Sequence, residues 1–531
     1  MRILVFHGYL LAGTGSNVYN ARLAAALVRL GHEVHLLCQD RHPERQTFVD
    51  AAGDWDGGTL RVRELRDVAA GRARCVVYRP NIGGVLPVYV ADRYEGIEAR
   101  TFADCDDEQI ARYVAANVAA VRDVLARVAP DVALANHLVM GPAILARALA
   151  GTVPYAVKVH GSALEYTVKP EPERFLPFAR EGVRGARGVL VGSHHTAASL
   201  WRALAEPELE RRTRLGPPGV DVERFAPREP RAAAEGVHAL AVRLSAGVDA
   251  ASGVGEERQD AFARDERAAG AALANLRPGE ERLVAFVGKL IVSKGVDLLL
   301  AAWPLVLQTA PDAKLVIVGF GAYREAFEEL LDALAAGVIE RATEIARAGR
   351  SLEGADGGGG ATRPLRHLLA FFAGLRGEQR ERYLAASRAL RERVVLSGRL
   401  DHDELAELLP ACEAIVVPST FPEAFGMVAA EAAACGVLPV SAAHSGLAEV
   451  SETLAAAVPE EIAGLLSFAV DDGAVRALAA RVAGWLTADP RLKARARSGL
   501  VETARERWSW DGVARGVIAA ARGELEALRM P

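Results

Sequence analysis

Two carboxylates, Glu423 and Glu431, bracket seven residues within the stretch PSTFPEAFGMVAAEAAACG, residues 418–436. An apolar run, Ala414-Ile415-Val416-Val417, precedes this stretch and has the length of a buried parallel strand. A turn-rich segment follows, and an alanine-rich stretch of high helix propensity begins at Gly426 or Met427. The first N–H groups of such a helix have no partners inside it and carry partial positive charge, so they favour anions. A carboxylate does not bind phosphate, but it accepts hydrogen bonds from hydroxyls such as those of a sugar or ribose. An anion-binding turn flanked by two hydroxyl acceptors suits a sugar joined to phosphate, hence a nucleotide sugar.

Glu423 and Glu431, with Phe425-Gly426 between them, resemble the EX7E motif of the retaining glycosyltransferases of family 4. The resemblance extends over most of the chain and leaves out two segments. It implies an α/β protein of GT-B fold, with two Rossmann-like, doubly wound domains facing a cleft. The acceptor-side domain would span residues 1–225 and be completed by a crossover helix at about 508–531. The nucleotide-sugar domain would span 283–507, with an insertion at about 335–391, and residues 226–282 would be an insertion or linker.

The elements that must position the motif alternate between strand and helix, the pattern of a parallel sheet. Residues 2–6 read as a strand, 7–17 as a loop, 18–30 as an amphipathic helix, and 33–37 as the next strand. The loop holds Gly13-Thr14-Gly15-Ser16-Asn17, which lacks the third glycine of a dinucleotide fingerprint and lies too far from the strand for its tight turn. Asp40 keeps a nicotinamide reading only as a distant alternative. By resemblance, Gly15 and Ser16 offer backbone N–H groups to the donor diphosphate. Residues 43–71 are polar and show no clear pattern, whereas 107–128 form an amphipathic helix with Ile110, Val114, Val118, Val121 and Leu125 on one face. His160-Gly161 follows the strand 155–159 at its carboxyl end, where open α/β sheets bind ligands. The resemblance assigns His160 to the donor sugar, the alternative being a hydrogen-bonded structural histidine.

Downstream of a second β–α start, Gly288-Lys289 and Lys294-Gly295 resemble the family's cationic pair. Two cations at a strand's carboxyl end can hold a pyrophosphate and stabilise its charge as it departs. Ser397-Gly398-Arg399-Leu400 is similar to the loop that receives the nucleotide base. His444-Ser445-Gly446 stands where the family has two glycines, with Ser445 replacing the first. By resemblance Glu423 holds sugar hydroxyls, the N–H groups near Phe425, Gly426 and Met427 place sugar or phosphate, and Glu431 accepts from the ribose.

Residues 228–282 are rich in Ala, Glu and Arg, turn-like at 247–255, and expected as surface helices or a flap. Residues 354–360, GADGGGG, read as a flexible tip. The aromatic and arginine-rich stretch 365–395 reads as ordinary packing with a solvated face; a peripheral contact with an anionic membrane is the second reading.

The chain has 531 residues, enough for two or more domains, and a net charge of −5, so no basic field points to nucleic acid. Five scattered cysteines without CxxC spacing argue against a disulfide framework or zinc site and fit a reducing cytosol. The opening residues enter a strand at once, which predicts no signal peptide, and no apolar run reaches membrane-spanning length. The implied activity is a cytoplasmic, retaining hexosyltransferase that uses a nucleotide-diphosphate sugar, needs no metal or other cofactor, and glycosylates a sugar, lipid or small-molecule hydroxyl. The rival readings are a catalytically silent nucleotide-sugar-binding protein and a GT-B epimerase or phosphorylase.

Overall fold

A computed structural model describes residues 1–12, 15–67, 74–89, 97–246, 265–353 and 363–531. The readings placed on Gly13-Thr14, on 247–255 and on 354–360 lie outside the described residues. The chain divides into two compact units. One holds Met1–Gly219 and Trp508–Pro531, and the other runs between Val220 and Arg507.

The first unit begins with the strands Arg2–Phe6 (β1), Glu33–Leu37 (β2), Ala51–Asp56 (β3), Thr59–Glu64 (β4) and Cys75–Arg79 (β5). Val85–Val88 (β6) and Glu98–Thr101 (β7) form a small separate sheet. Val132–Asn136 (β8), Tyr155–Lys158 (β9), Gly188–Val191 (β10) and Thr213–Leu215 (β11) complete the main sheet. Its order is β11-β10-β9-β8-β1-β2-β5-β3-β4, parallel except where β4 runs back along β3. That hairpin lies in the stretch without clear pattern. Its turn carries Gly57 at φ 55° and Gly58 at φ 81°, the two left-handed residues that a tight hairpin turn needs.

The helix Asp107–Val128 starts at a capping box between Asp106 and Gln109 and buries Ile110, Val114, Val118 and Val121. The first helix runs Gly15–Arg29, so Gly15 and Ser16 form its opening turn and not part of a loop. Asn17 explains the early start: its amide donates to the Ala12 carbonyl at 2.7 Å and its Oδ1 meets His7 Nε2 at 3.0 Å. The C-terminal helix Trp510–Arg522 covers one face of this sheet, with Trp510, Ala514, Val517 and Ala520 buried. Gly219 makes room for it, since a Cβ there would lie 2.4 Å from the Trp510 ring.

The second unit holds Arg282–Val287 (β12), Ala313–Val318 (β13), Val394–Gly398 (β14), Cys412–Val417 (β15), Leu438–Ala442 (β16) and Ser467–Phe468 (β17). Its sheet is parallel throughout, ordered β14-β13-β12-β15-β16-β17. The described parts of 228–282 are no surface appendage. Their helices Pro230–Ala246 and Glu266–Leu273 pack on each other and on this unit, burying Val237, Leu240 and Leu244. Arg228 Nη2 bonds Glu407 Oε1 at 3.0 Å. In the second expected insertion, Leu368, Phe371, Phe372 and Leu375 are buried, so the aromatic patch that a membrane contact would use lies in the core. Tyr383 donates its hydroxyl to the Ala301 carbonyl at 3.0 Å, while Arg380 and Arg382 form exposed ion pairs. The five cysteines are buried free thiols, and no helix among the described residues is long and apolar enough to cross a membrane.

Candidate functional site

In an open parallel sheet, ligands sit where neighbouring strands send their connections in opposite directions. In the second unit β13 and β14 extend one side of β12, and β15 to β17 extend the other. The switch point therefore lies between the carboxyl ends of β12 and β15. The turn after β12 carries Lys289 and Lys294, and the segment after β15 carries Glu423.

Lys294 and Glu423 form a direct ion pair, with side chains 32% and 25% exposed. Ser419 Oγ lies 2.9 Å from Glu423 Oε1, and the Thr420 N–H donates to the Ser293 carbonyl at 2.9 Å. Gly295 is required where the two segments meet: its φ is +66°, and a Cβ would stand 2.0 Å from the Pro418 oxygen. Lys289 is exposed and forms no ion pair with a described residue.

The turn after β16 supports Glu423 from behind. The Ser445 hydroxyl accepts the Glu423 N–H at 2.9 Å, and the Gly446 N–H donates to the Glu423 carbonyl at 2.9 Å. His444 Nε2 lies 2.8 Å from the Ser419 carbonyl, an acceptor only, so that nitrogen carries the proton. Nδ1 then accepts from the Ser445 hydroxyl at 3.1 Å. Ser445 has φ +52°, the left-handed conformation natural to the glycine it replaces. The substitution keeps the turn and adds a hydroxyl that holds the Glu423 backbone. Gly446 cannot change in the same way, because a Cβ would lie 2.7 Å from Ala424 and Phe425 backbone atoms.

The helix Met427–Ala434 follows, and its N-cap Gly426 supplies no side-chain cap, which leaves the first N–H groups for an anion. Glu431, in the second turn, is buried, and its Oε1 meets His402 Nε2 at 2.7 Å. The His402 ring packs edge-on against Phe225 at 4.8 Å. His402 opens the helix just past Leu400, which is buried at 7% exposure. The second unit thus brings Lys294 and Glu423 into contact, with Gly426 and Met427 on the same segment and Glu431 tied to the Leu400 loop. His402, Ser419 and His444 were not anticipated. Their only sequence signal is position beside strand ends already singled out.

The first unit holds the other candidates, again around a switch point, between β1 and β8. His160 donates from Nε2 to Asn136 Oδ1 at 2.9 Å. Its ring lies 4.9 Å from those of Tyr19 and His137, and His137 stacks on His7 at 5.6 Å. Burial pushes all three imidazoles toward the neutral form, His7 to about 4 and His137 and His160 well below the ordinary 6.5. Neither ring nitrogen of His137 meets a hydrogen-bond partner among the described residues. Lys158, also buried, is lowered to about 7 by desolvation and donates to the Gly216 carbonyl. Gly15 and Ser16 begin the helix after β1 in this same unit. Asp40 holds its own loop: its carboxylate accepts the Leu11 N–H at 2.9 Å and the His42 N–H at 2.8 Å. Among the described residues, no three His, Cys, Asp or Glu side chains converge to hold a metal ion.

Each half of the chain matches a family. Residues 14–216 match the Glycosyl transferase 4-like domain, and 273–338 with 365–506 match Glycosyl transferases group 1. The chain belongs to the GT-B glycosyltransferases of the family 4 type. Among its relatives, the D-inositol 3-phosphate glycosyltransferase of Segniliparus rotundus is 30% identical over 50% of this chain and 44% of its own. The enzyme of the same name from Xylanimonas cellulosilytica is 27% identical over 70% of this chain and 65% of its own. The chain thus spans between about half and two thirds of these curated relatives. In fold it is similar to sucrose-phosphate synthase from Thermosynechococcus elongatus, at 20% identity, TM-score 0.55 and 99% coverage of both chains. Anabaena HepE, solved with UDP, gives TM-score 0.55 at 17% identity, covering 99% of this chain and 100% of that one. The group 1 match skips 339–364, a narrower departure than the 335–391 expected from the sequence.

Proposed function

We propose that this glycosyltransferase moves a hexose from a nucleoside diphosphate sugar to an acceptor hydroxyl, with retention at the anomeric carbon. The observation that carries this reading is the Lys294–Glu423 pair at the switch point, beside a helix N-terminus that has no side-chain cap. Lys294 pairs with Glu423, and the carboxylate accepts from sugar hydroxyls. Lys289, Lys294 and the amides near Phe425, Gly426 and Met427 take the diphosphate and stabilise the charge that grows as it leaves. Glu431, steadied by His402, accepts from the ribose through its second oxygen, and the Leu400 loop takes the base. His160 is assigned to the donor sugar, and Gly15 and Ser16 to phosphate. The departing phosphate acts as the base toward the acceptor, so the chain supplies positioning and charge and no nucleophile.

A silent binding protein drew its support from Ser445 in place of glycine. Ser445 keeps the left-handed backbone conformation that suits a glycine, which favours the active reading; a silent protein would bind donor without turnover.

A thermal-shift screen of nucleotide sugars, beginning with UDP-hexoses, selects the donor, because a ligand of the native state raises its stability. NMR of the product then tests the mechanism: an α-linked donor gives an α-linked product, and a β-linked product rejects retention. Glu431→Ala should weaken nucleoside monophosphate and donor alike by about 1.5–3 kcal/mol, the range for a hydrogen bond to a charged group. Equal nucleotide affinity in variant and parent would remove the ribose assignment.

A further inference from the structure

Lys294 belongs to a short 3-10 turn, Val292–Lys294, that has no side-chain cap of its own. The turn is fastened on its carbonyl side by family-matched residues, since the Ser293 oxygen accepts from the Thr420 N–H at 2.9 Å. On its amide side the fastening comes from elsewhere. The Val292 N–H donates to Glu353 Oε1 at 2.5 Å, across 61 residues of sequence. Glu353 ends the turn Gly349–Glu353 and lies inside residues 339–364, which the family match skips.

Glu353 is not a chance surface contact. Its side chain is 7% exposed, and the Arg350 guanidinium lies 3.3 Å away, offsetting its charge. The backbone around it is laced at the base: the Arg350 N–H donates to the Arg363 carbonyl at 3.1 Å, and the Leu365 N–H to the Ala346 carbonyl at 2.8 Å. Gly349 has φ +54°, and a Cβ there would lie 2.2 Å from the Arg363 oxygen, so the base closes only on glycine. A buried carboxylate held this way costs desolvation free energy, which a peripheral loop has no reason to spend unless the amide it meets matters.

We propose that Glu353 is a positioning residue for transfer: it fixes the Val292 amide and thereby the turn that aims Lys294. The inference rests on the reading of Lys294 as the cation that meets the departing diphosphate. The described turn Gly349–Glu353 of the skipped segment is then part of the donor-handling apparatus.

The test compares Glu353→Ala, Glu353→Gln and Lys294→Ala in the full chain. Readouts are turnover of the screened donor, calorimetric binding of pyrophosphate and of UMP, and the melting temperature. Glu353→Ala should lower kcat about tenfold or more, the scale of a small misplacement of a catalytic group. It should also weaken pyrophosphate binding severalfold and leave UMP binding and melting temperature near parental. Glu353→Gln keeps an oxygen that can accept the amide, so it should recover most of the turnover. Parental kcat in Glu353→Ala overturns the inference, as does a Gln variant as impaired as Ala. An Ala variant that fails to fold beside a fully active Gln variant makes the residue structural only and also overturns it. If Lys294→Ala itself keeps parental turnover, the reading of the site fails. If Lys294→Ala loses turnover and Glu353→Ala does not, only the present inference fails.

Discussion

The carboxyl end of β12 and β15 in the second unit and the carboxyl end of β1 and β8 in the first obey one topological rule and carry opposite chemistry. In the second unit the switch point is ionic and half open: Lys294 on Glu423, and Lys289 exposed. In the first it is packed with neutral imidazoles, His7, His137 and His160, which burial keeps unprotonated. Parallel strand ends gather loops in one place regardless of what those loops contain. What the loops contain decides the task. Mobile positive charge suits a diphosphate, whereas a neutral ring with one donating and one accepting nitrogen suits an uncharged hydroxyl-bearing group.

The comparison breaks most visibly if charge is removed from the ionic end. Lys294→Ala should lower kcat by about 10²–10³-fold, the scale for losing one preorganised group that stabilises developing negative charge. Binding of the nucleoside monophosphate should stay within about threefold, because the lysine serves the part that leaves. Steady-state kinetics and calorimetry on one preparation decide it. Parental turnover would reduce Lys294 to a surface cation paired with Glu423.

Acid sharpens the contrast in the other direction. The three imidazoles have depressed native pKa values, so the unfolded chain binds more protons than the native one below pH 6.5. For His7 the stability present above pH 6.5 is lost as pH falls toward about 4, and His137 and His160 are shifted in the same direction. From pH 7 to 5 that is about 2 kcal/mol for each ring that stays neutral. Lys158, lowered to about 7 from 10.5, has most of its destabilising effect in place by pH 7 and adds only about 0.4 kcal/mol, RT ln 2, in this window. The second unit holds the reverse case in Asp297, buried in the first turn of Val296–Thr309 and raised by desolvation to about 7. Its native form binds the extra proton, so its contribution is present at low pH and lost as pH rises through 7; from pH 7 to 5 the unit gains about 2 kcal/mol. Hydrogen exchange, corrected for intrinsic rates, should show β1, β8 and β9 losing protection on this descent relative to β12 and β15. Equal behaviour of the two sheets would mean that the histidine cluster takes up protons without unfolding.

Much of this was legible in the sequence because its signals are local. Apolar runs located β1, β2, β12 and β15, and the alanine-rich stretch of high helix propensity located the helix Met427–Ala434. The hairpin of β3 and β4 was missed although Asp56-Gly57-Gly58 marks its turn, because Arg61, Arg63 and Glu64 hide the alternation of a weakly buried edge. The last strand, Ser467–Phe468, has two residues and no period to read. The aromatic residues of 366–375 gave no indication of which surface covers them, and the structure turns them inward. The partners that tune the site were not legible at all. His402 reaches Glu431 across 29 residues and Glu353 reaches Val292 across 61. Only the sheet order brings such pairs together, and no local pattern encodes it.

The smallest expected effect concerns the one residue where the two kinds of signal disagree. Ser445 occupies a position built for glycine, at φ +52°, yet its hydroxyl accepts the Glu423 N–H and donates to His444. Ser445→Ala keeps the left-handed strain and leaves the Glu423 amide without its acceptor, so it should destabilise by about 1–2 kcal/mol. Ser445→Gly also removes the hydroxyl but relieves the backbone, worth roughly 1 kcal/mol for a non-glycine residue in this region. The glycine variant should therefore unfold within about 1 kcal/mol of the parent and above the alanine variant, in urea titrations of the two side by side. If turnover follows the same order, the serine hydroxyl acts on Glu423 through the fold. Should Ser445→Gly match the parent in stability and still transfer more slowly, the hydroxyl's contribution lies in aiming the Glu423 backbone, and the serine is a working part of the ionic switch point.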